Sequence, residues 1–313
     1  MSSSEGSGVF EGRYLAIGLR RKLRQFNPDI VMLGGFSILS NLIAYRWARR
    51  HRKKTIVFTE RSRNSRGELR KRGLVWRVLH WLYRDVDLVM VSADDVVNQF
   101  REEFGFGAKV VAGRYASDLS DYLTHPLREA KLTYTYLFAN RMTSTYNPIG
   151  AIDIFKQMLL KYPGSRLVMN AAGELGESCR ARIDELGIDD AVEFLTDLKS
   201  WSELNQVYAR CDLLLLPANF SNGNFTILEA MASGMGLVVS NRVLGTGRMV
   251  KDGKNGFNCE PTTEAFVDRL ERYIQQPELF KAHATINRPL VEPLSSRGTA
   301  KYIACILFKR LGV

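Results

Sequence analysis

Residues 212–240 read DLLLLPANFSNGNFTILEAMASGMGLVVS, and the reading of this stretch decides the fold. Asp212 to Leu216 is a short apolar run closed by Pro217, the length and composition of a strand buried on both faces. A polar loop containing Gly223 follows. Phe225 to Ser233 then reads as a helix, and Gly236 to Ser240 as a second buried strand. Strand, helix and strand of these lengths form a βαβ unit, in which parallel strands are joined by a helix packed on the sheet.

The loop and helix start are also where chemistry gathers. A polar loop running straight into a helix leaves backbone N–H groups and the positive end of the helix dipole free, which makes a phosphate site. Ser221, Asn222 and Asn224 are all suitable N-caps. Glu229, a little over one turn into the helix, is placed to reach past a phosphate and accept hydrogen bonds from a sugar or ribose diol. A glutamate in that position also complements the helix dipole without any ligand.

The same alternation extends in both directions. Upstream, strands are expected at Asp29–Leu33, Thr55–Thr59, Asp87–Val91, Lys109–Val111, Tyr134–Ala139, Arg166–Asn170 and Ala191–Leu195. Helices are expected at 13–26, 38–50, 74–83, 94–103, 148–161, 175–186 and 202–210. Downstream come helices at 263–275 and 297–311. Residues 113–132 lack periodicity and carry His125-Pro126, so they read as a linker. The expectation is an α/β protein of two Rossmann-like domains: 1–112, and 133–290 followed by a C-terminal helix in 291–313. In such sheets ligands lie beyond the carboxyl ends of the strands. The residues there are Gly34, Gly35, Phe36 and Ser37; Glu60, Arg61, Ser62 and Arg63; Ser92; Asn140 and Arg141; Ala171, Ala172 and Gly173; and Pro217 through Asn224.

The run from Leu216 to Pro261 resembles the donor-binding core of GT-B glycosyltransferases of the family-4, retaining type. That family carries a loop with two glutamates separated by seven residues, an EAMA-G helix and strand, and a DG-NG turn. The likeness extends over about 134–290, including FANRM at 138–142 and CDLLLLP at 211–217, and the first domain is similar to the later half of the family's N-terminal domain. The resemblance implies metal-free transfer of a sugar from a nucleotide-diphosphate donor with retention. Arg141 matches the family's phosphate-binding arginine and Glu229 the ribose-holding glutamate, the two residues assigned to catalysis. Gly173, Ser221, Asn222, Gly223, Asn224, Phe225 and Thr226 complete the donor set, with the amides of Phe225 and Thr226 along the diphosphate. Gly34, Gly35, Glu60 and Arg61 fall on the acceptor side.

Departures from the pattern are equally specific. Tyr146 stands where a second cation, a lysine, is usual; Ser221 replaces the first glutamate; Gly34 takes the place of a histidine. The chain starts after the family's opening strand and glycine-rich loop, so an incomplete N-terminal domain is expected, either as a truncated gene product or with a partner filling the gap. These departures keep open a catalytically impaired module that binds a sugar nucleotide or a partner. A nucleotide-sugar epimerase fits less well, because such enzymes surround the sugar with carboxylates and histidines.

Charge adds a partner. Residues 1–84 hold 19 Lys and Arg against 5 acidic residues, while the remainder holds 25 against 28, so the whole basic excess lies in the first quarter. Arg20, Arg21, Lys22 and Arg24, then Arg46, Arg49, Arg50, Arg52, Lys53 and Lys54 around Trp47, suit an anionic membrane surface. No nucleic-acid motif accompanies them. Four dispersed cysteines and four dispersed histidines argue against disulfides or a zinc site, and neither a signal peptide nor a spanning helix is expected. The expected setting is cytoplasmic, peripheral at the inner face of a bacterial cell membrane, in polysaccharide or envelope assembly.

Overall fold

The computed structural model describes residues 16–36, 39–60, 74–92, 94–114, 116–196 and 201–312. Arg61, Ser37, Ser62, Arg63 and the start of the helix expected at 13–26 lie outside them. Among the described residues, 16–114 and 301–312 form one compact unit and 116–300 another.

The first unit runs α1 (Leu19–Phe26), β1 (Ile30–Gly34), α2 (Leu39–Arg50), β2 (Lys54–Thr59), α3 (Leu74–Leu82), β3 (Leu88–Val91), α4 (Asp94–Asn98) and β4 (Val110–Ala112). Its strands lie in the order β1-β2-β3-β4, all parallel. The helix expected across 94–103 is α-helical only to Asn98 and widens into a π turn over Gln99–Glu103. One sheet face packs Leu33, Val57 and Val89 against Tyr45, Trp47 and Ala48 of α2 and against Phe100 and Phe104. The opposite face, Ile56, Leu88, Met90 and Val111, is covered by Ile303, Ile306, Leu307 and Leu311 of the chain's last helix, Ser296–Leu311. A parallel sheet is buried on both faces, so this unit takes its second layer from the far end of the sequence.

The second unit contains β5 (Thr135–Phe138), α5 (Pro148–Lys161), β6 (Arg166–Asn170), α6 (Gly176–Leu186), β7 (Val192–Leu195), α7 (Trp201–Arg210) and β8 (Leu213–Leu216). It continues with α8 (Phe225–Ser233), β9 (Gly236–Ser240), β10 (Phe257–Cys259), α9 (Thr263–Gln275) and α10 (Glu278–Val291); the last helix is α11. Six parallel strands take the order β10-β9-β8-β5-β6-β7. Residues 113–132, expected as a linker, are for the most part built into this unit. Leu119 and Tyr122 join its core. The buried Arg128 donates to the carbonyls of Tyr208, Cys211 and Ser233 at 2.5 to 3.0 Å.

Two elements had no local signal. β10 is three residues long, too short for a period of two, and α10 follows Pro277 and holds Pro289 in its last turn.

The covering role of α11 yields a prediction. Replacing Ile306 and Leu307 together by Ala is expected to destabilise the first unit by about 2 kcal/mol, below the roughly 2–5 kcal/mol per fully buried side chain because both are partly exposed. Denaturant unfolding measures this. An unchanged midpoint would contradict the assignment.

Candidate functional site

Strand order locates the site. Between β5 and β8 the direction of winding reverses, so the crevice of this doubly wound sheet opens where those strands end, at 139–147 and 217–224.

The two loops are stitched together by backbone. Thr145 O accepts from the amides of Asn219 and Phe220 at 2.9 and 3.2 Å. The side chains of Asn219 and Asn147 donate to Ser144 O and Pro217 O at 2.9 and 3.1 Å. The loop after β6 lies on the same turn: Met142 N donates to Ala172 O at 2.7 Å, and Leu175 N to Met142 O at 2.9 Å. Gly173 has φ of 144°, and any side chain there would run into the Met142 backbone. Its glycine is thus a demand of close approach. On this scaffold Arg141 is exposed, and its side chain has no partner among the described residues.

The N-terminus of α8 meets this turn. Of the three candidate caps, Asn224 is the one used: its Oδ1 accepts from Thr226 N at 3.0 Å and from the Thr226 hydroxyl at 2.6 Å. The same hydroxyl lies 3.3 Å from Asn140 Oδ1, which ties α8 to the residue before Arg141. Thr246 exchanges hydrogen bonds with the Asn224 backbone at 2.7 and 2.9 Å. The Thr226 amide, expected along a diphosphate, is therefore already taken by the cap. Asn224 is 95% buried, yet its Nδ2 has no partner, and Asn222 Oδ1 beside it is likewise buried and unpaired. Orphaned amide groups of this kind carry a desolvation cost that a ligand relieves. Phe225 is partly exposed at the first helical position.

Ser221 turns inward, its hydroxyl donating to Gly223 O at 2.8 Å while its backbone bridges to Val243. Tyr146 packs against the apolar clusters on both faces of the sheet.

Glu229 is 9% exposed. Tyr208 donates its hydroxyl to Oε2 at 2.8 Å and Ser117 to Oε1 at 3.3 Å. Each carboxylate oxygen retains a free lone pair. Burial pushes the carboxyl pKa above its ordinary value, and the two hydroxyl donors oppose that shift. Burial, reinforced by the Glu229 charge, raises the Tyr208 phenol well above its usual value, so Tyr208 stays a donor. At the other end of α8, Arg288 and Arg128 donate to the carbonyls of Ala232 and Ser233 at 3.0 and 2.6 Å, cations matched to the negative end of the dipole. Arg128, Arg288, Ser117 and Tyr208 carried no motif in the sequence; only their burial and partners reveal them.

The acceptor-side residues belong to the first unit. Gly34 and Gly35 form a turn whose carbonyls receive Asn41 Nδ2 at 2.9 and 3.0 Å, and Glu60 is exposed after β2.

A doubly wound domain with an open helix N-terminus at its switch point, accompanied by a second parallel α/β unit, has the GT-B glycosyltransferase fold. The chain belongs to the glycosyl transferases group 1 family, whose model matches residues 125–288, and a glycosyl transferase 4-like domain matches residues 3–113. It is 28% identical over 150 residues to the GtfA subunit of UDP-N-acetylglucosamine–peptide N-acetylglucosaminyltransferase from Streptococcus gordonii, covering 48% of this chain and 29% of that protein. It is 26% identical over 253 residues to glycogen synthase of Mycobacterium tuberculosis, covering 78% of this chain and 60% of that one. In fold it is similar to Anabaena HepE, solved in complex with UDP: the TM-score is 0.76 at 15% identity, over 93% of this chain and 82% of that one. The chain thus spans between 29% and 60% of the length of these sequence relatives.

Two predictions arise from this geometry. Gly173→Ala should destabilise the second unit by more than about 1 kcal/mol, because alanine at positive φ is strained even before it strikes Met142; an unaltered melting temperature would contradict the close approach. Because the Glu229 carboxyl binds its proton more tightly folded than unfolded, its charge costs stability as pH rises past the ordinary value of 4.5. Glu229→Gln should therefore raise the melting temperature at neutral pH, with the gain fading as pH falls towards 4. A gain independent of pH would show that burial of charge is not its source.

Proposed function

We propose that the protein transfers a sugar from a nucleoside-diphosphate donor to a carbohydrate or lipid-linked acceptor, with retention at the anomeric carbon and without a bound metal. The carrying observation is the start of α8, where the orphaned amide of buried Asn224 sits in the same loop cluster as the unpaired Arg141. The relatives support a uridine nucleotide: HepE is described with UDP, and GtfA is named for UDP-N-acetylglucosamine.

In this reading the bond between the anomeric carbon and the diphosphate breaks, the acceptor hydroxyl oxygen bonds to that carbon, and its proton leaves with the departing diphosphate. Negative charge grows on the departing diphosphate. Arg141 and the positive end of α8 stabilise that charge, a role worth most in a site that excludes water. Glu229, held by Tyr208 and Ser117, uses its remaining lone pairs for the ribose hydroxyls. The first unit, with Gly34, Gly35 and Glu60, receives the acceptor, and its basic residues rest on an anionic membrane surface during polysaccharide or envelope assembly. Among the described residues, no helix is long and apolar enough to cross a membrane.

Calorimetric titration tests the donor site. UDP or GDP should bind with EDTA present, and Arg141→Ala and Glu229→Ala should each weaken binding about tenfold or more, the loss of one charge-assisted contact at 1.4 kcal/mol per tenfold. Failure of both nucleotides to bind, or variants that bind as the parent does, would overturn the site.

A second reading, a binding module without turnover, is favoured by two observations: Tyr146, in place of a cation, lies partly buried against the apolar clusters, and the Ser221 hydroxyl is spent within its own loop. Sugar transfer by the purified chain, abolished by Glu229→Ala, would sink it.

A further inference from the structure

The first unit contains a second collection of unpaired cations. Arg20 and Arg24 lie one turn apart on α1, and Arg46 and Arg50 one turn apart on α2. With Trp47 and His51 they line a cavity of about 210 Å³. α1 is held against the core of this unit by Leu19 and Leu23, which leaves its arginines at the cavity. Like charges one turn apart repel by about 0.2–0.5 kcal/mol per pair, and here two such pairs share one space.

Among the described residues no counter-charge offsets them. None of the four guanidiniums has an ion pair or hydrogen bond there, and no acidic residue is among those that line the cavity. A second observation is independent of charge. Trp47 is 5% exposed, and its indole Nε1 is buried without any partner. His51 stacks on the Trp47 ring at 4.4 Å between centroids and bonds through Nδ1 to Trp47 O at 2.8 Å, which fixes both rings. The guanidiniums and the indole supply donors only, so the complementary ligand is an acceptor-rich anion.

We propose that this cavity binds a phosphoryl group, as a phosphomonoester or diphosphate, with Arg20, Arg24, Arg46 and Arg50 as its charge partners and Trp47 Nε1 as an additional donor. Guanidinium forks match phosphate oxygens in pairs, and four of them around one small cavity select for a dianion. The site lies in the other unit from the nucleotide-binding loop and stands whether or not the donor reading holds. Its ligand arrives either as a free phosphorylated solute or as the headgroup of a lipid.

The Trp47 indole N–H signal, assigned by its loss in Trp47→Phe, reports on this cavity separately from the donor site. The full-length chain is titrated with inorganic phosphate and, separately, with dihexanoyl phosphatidic acid below its micelle concentration, both against sodium chloride at equal ionic strength. A saturable shift with phosphate identifies a free solute as sufficient; a shift with the lipid alone identifies a headgroup. Either supports the site, provided that Arg24→Gln with Arg50→Gln weakens apparent affinity at least tenfold and Arg21→Gln with Arg49→Gln, the same charge loss away from the cavity, weakens it less than twofold. No shift beyond chloride with either probe, or equal losses in the two double variants, would overturn the proposal.

Discussion

The second unit is organised by the burial of one short helix. Every residue of α8 from Ile227 to Ser233 is buried, including Glu229 and the carbonyls of the last turn. A buried carboxylate and buried carbonyls must find donors or cost several kcal/mol. The donors come from three separate segments: Ser117 and Arg128 from the stretch after the first unit, Tyr208 from α7, and Arg288 from α10. One helix thereby gathers much of the unit around it. With its C-terminal end saturated by arginines, α8 keeps its electropositive end for the loop cluster at the β5–β8 switch point. Stability and site are consequences of the same packing.

That packing also separates what Glu229 costs from what it offers. Burial raises its pKa, so ionising this carboxyl works against the folded state. Tyr208 and Ser117 reduce the cost and hold the group still, each using only part of its accepting capacity. In the proposed donor site, this orientation by two donors leaves lone pairs on Glu229 for a ligand.

Much of this was legible in the sequence, and the pattern of success has a cause. The helices 148–161, 225–233 and 263–275 and the strands 166–170 and 236–240 match expectation to the residue, since each combines a strong apolar period with a clear boundary at Pro, Gly or Thr. The loop entering α8 announced itself through Gly223 and three capping residues. Contacts between distant segments had no such signature. Nothing local in Arg128 distinguishes it from a solvated arginine, and the face of α11 that covers the first sheet is defined only by what it meets. Asn224 could be told from Ser221 and Asn222 only once the direction of each side chain was known. The basic first quarter was plain as a count, but its division into paired surface lysines and an unpaired arginine cavity required the facing of α1 and α2.

The central claim is that the start of α8, Arg141 and Glu229 form one nucleotide-diphosphate site. A crystal structure of the chain grown with UDP tests it most directly. The diphosphate is expected against the N-terminus of α8 within hydrogen-bonding distance of Arg141 and Asn224 Nδ2, with the ribose hydroxyls on Glu229. UDP bound elsewhere, or at this helix with Glu229 still engaged by Tyr208 and Ser117 alone, would contradict the account.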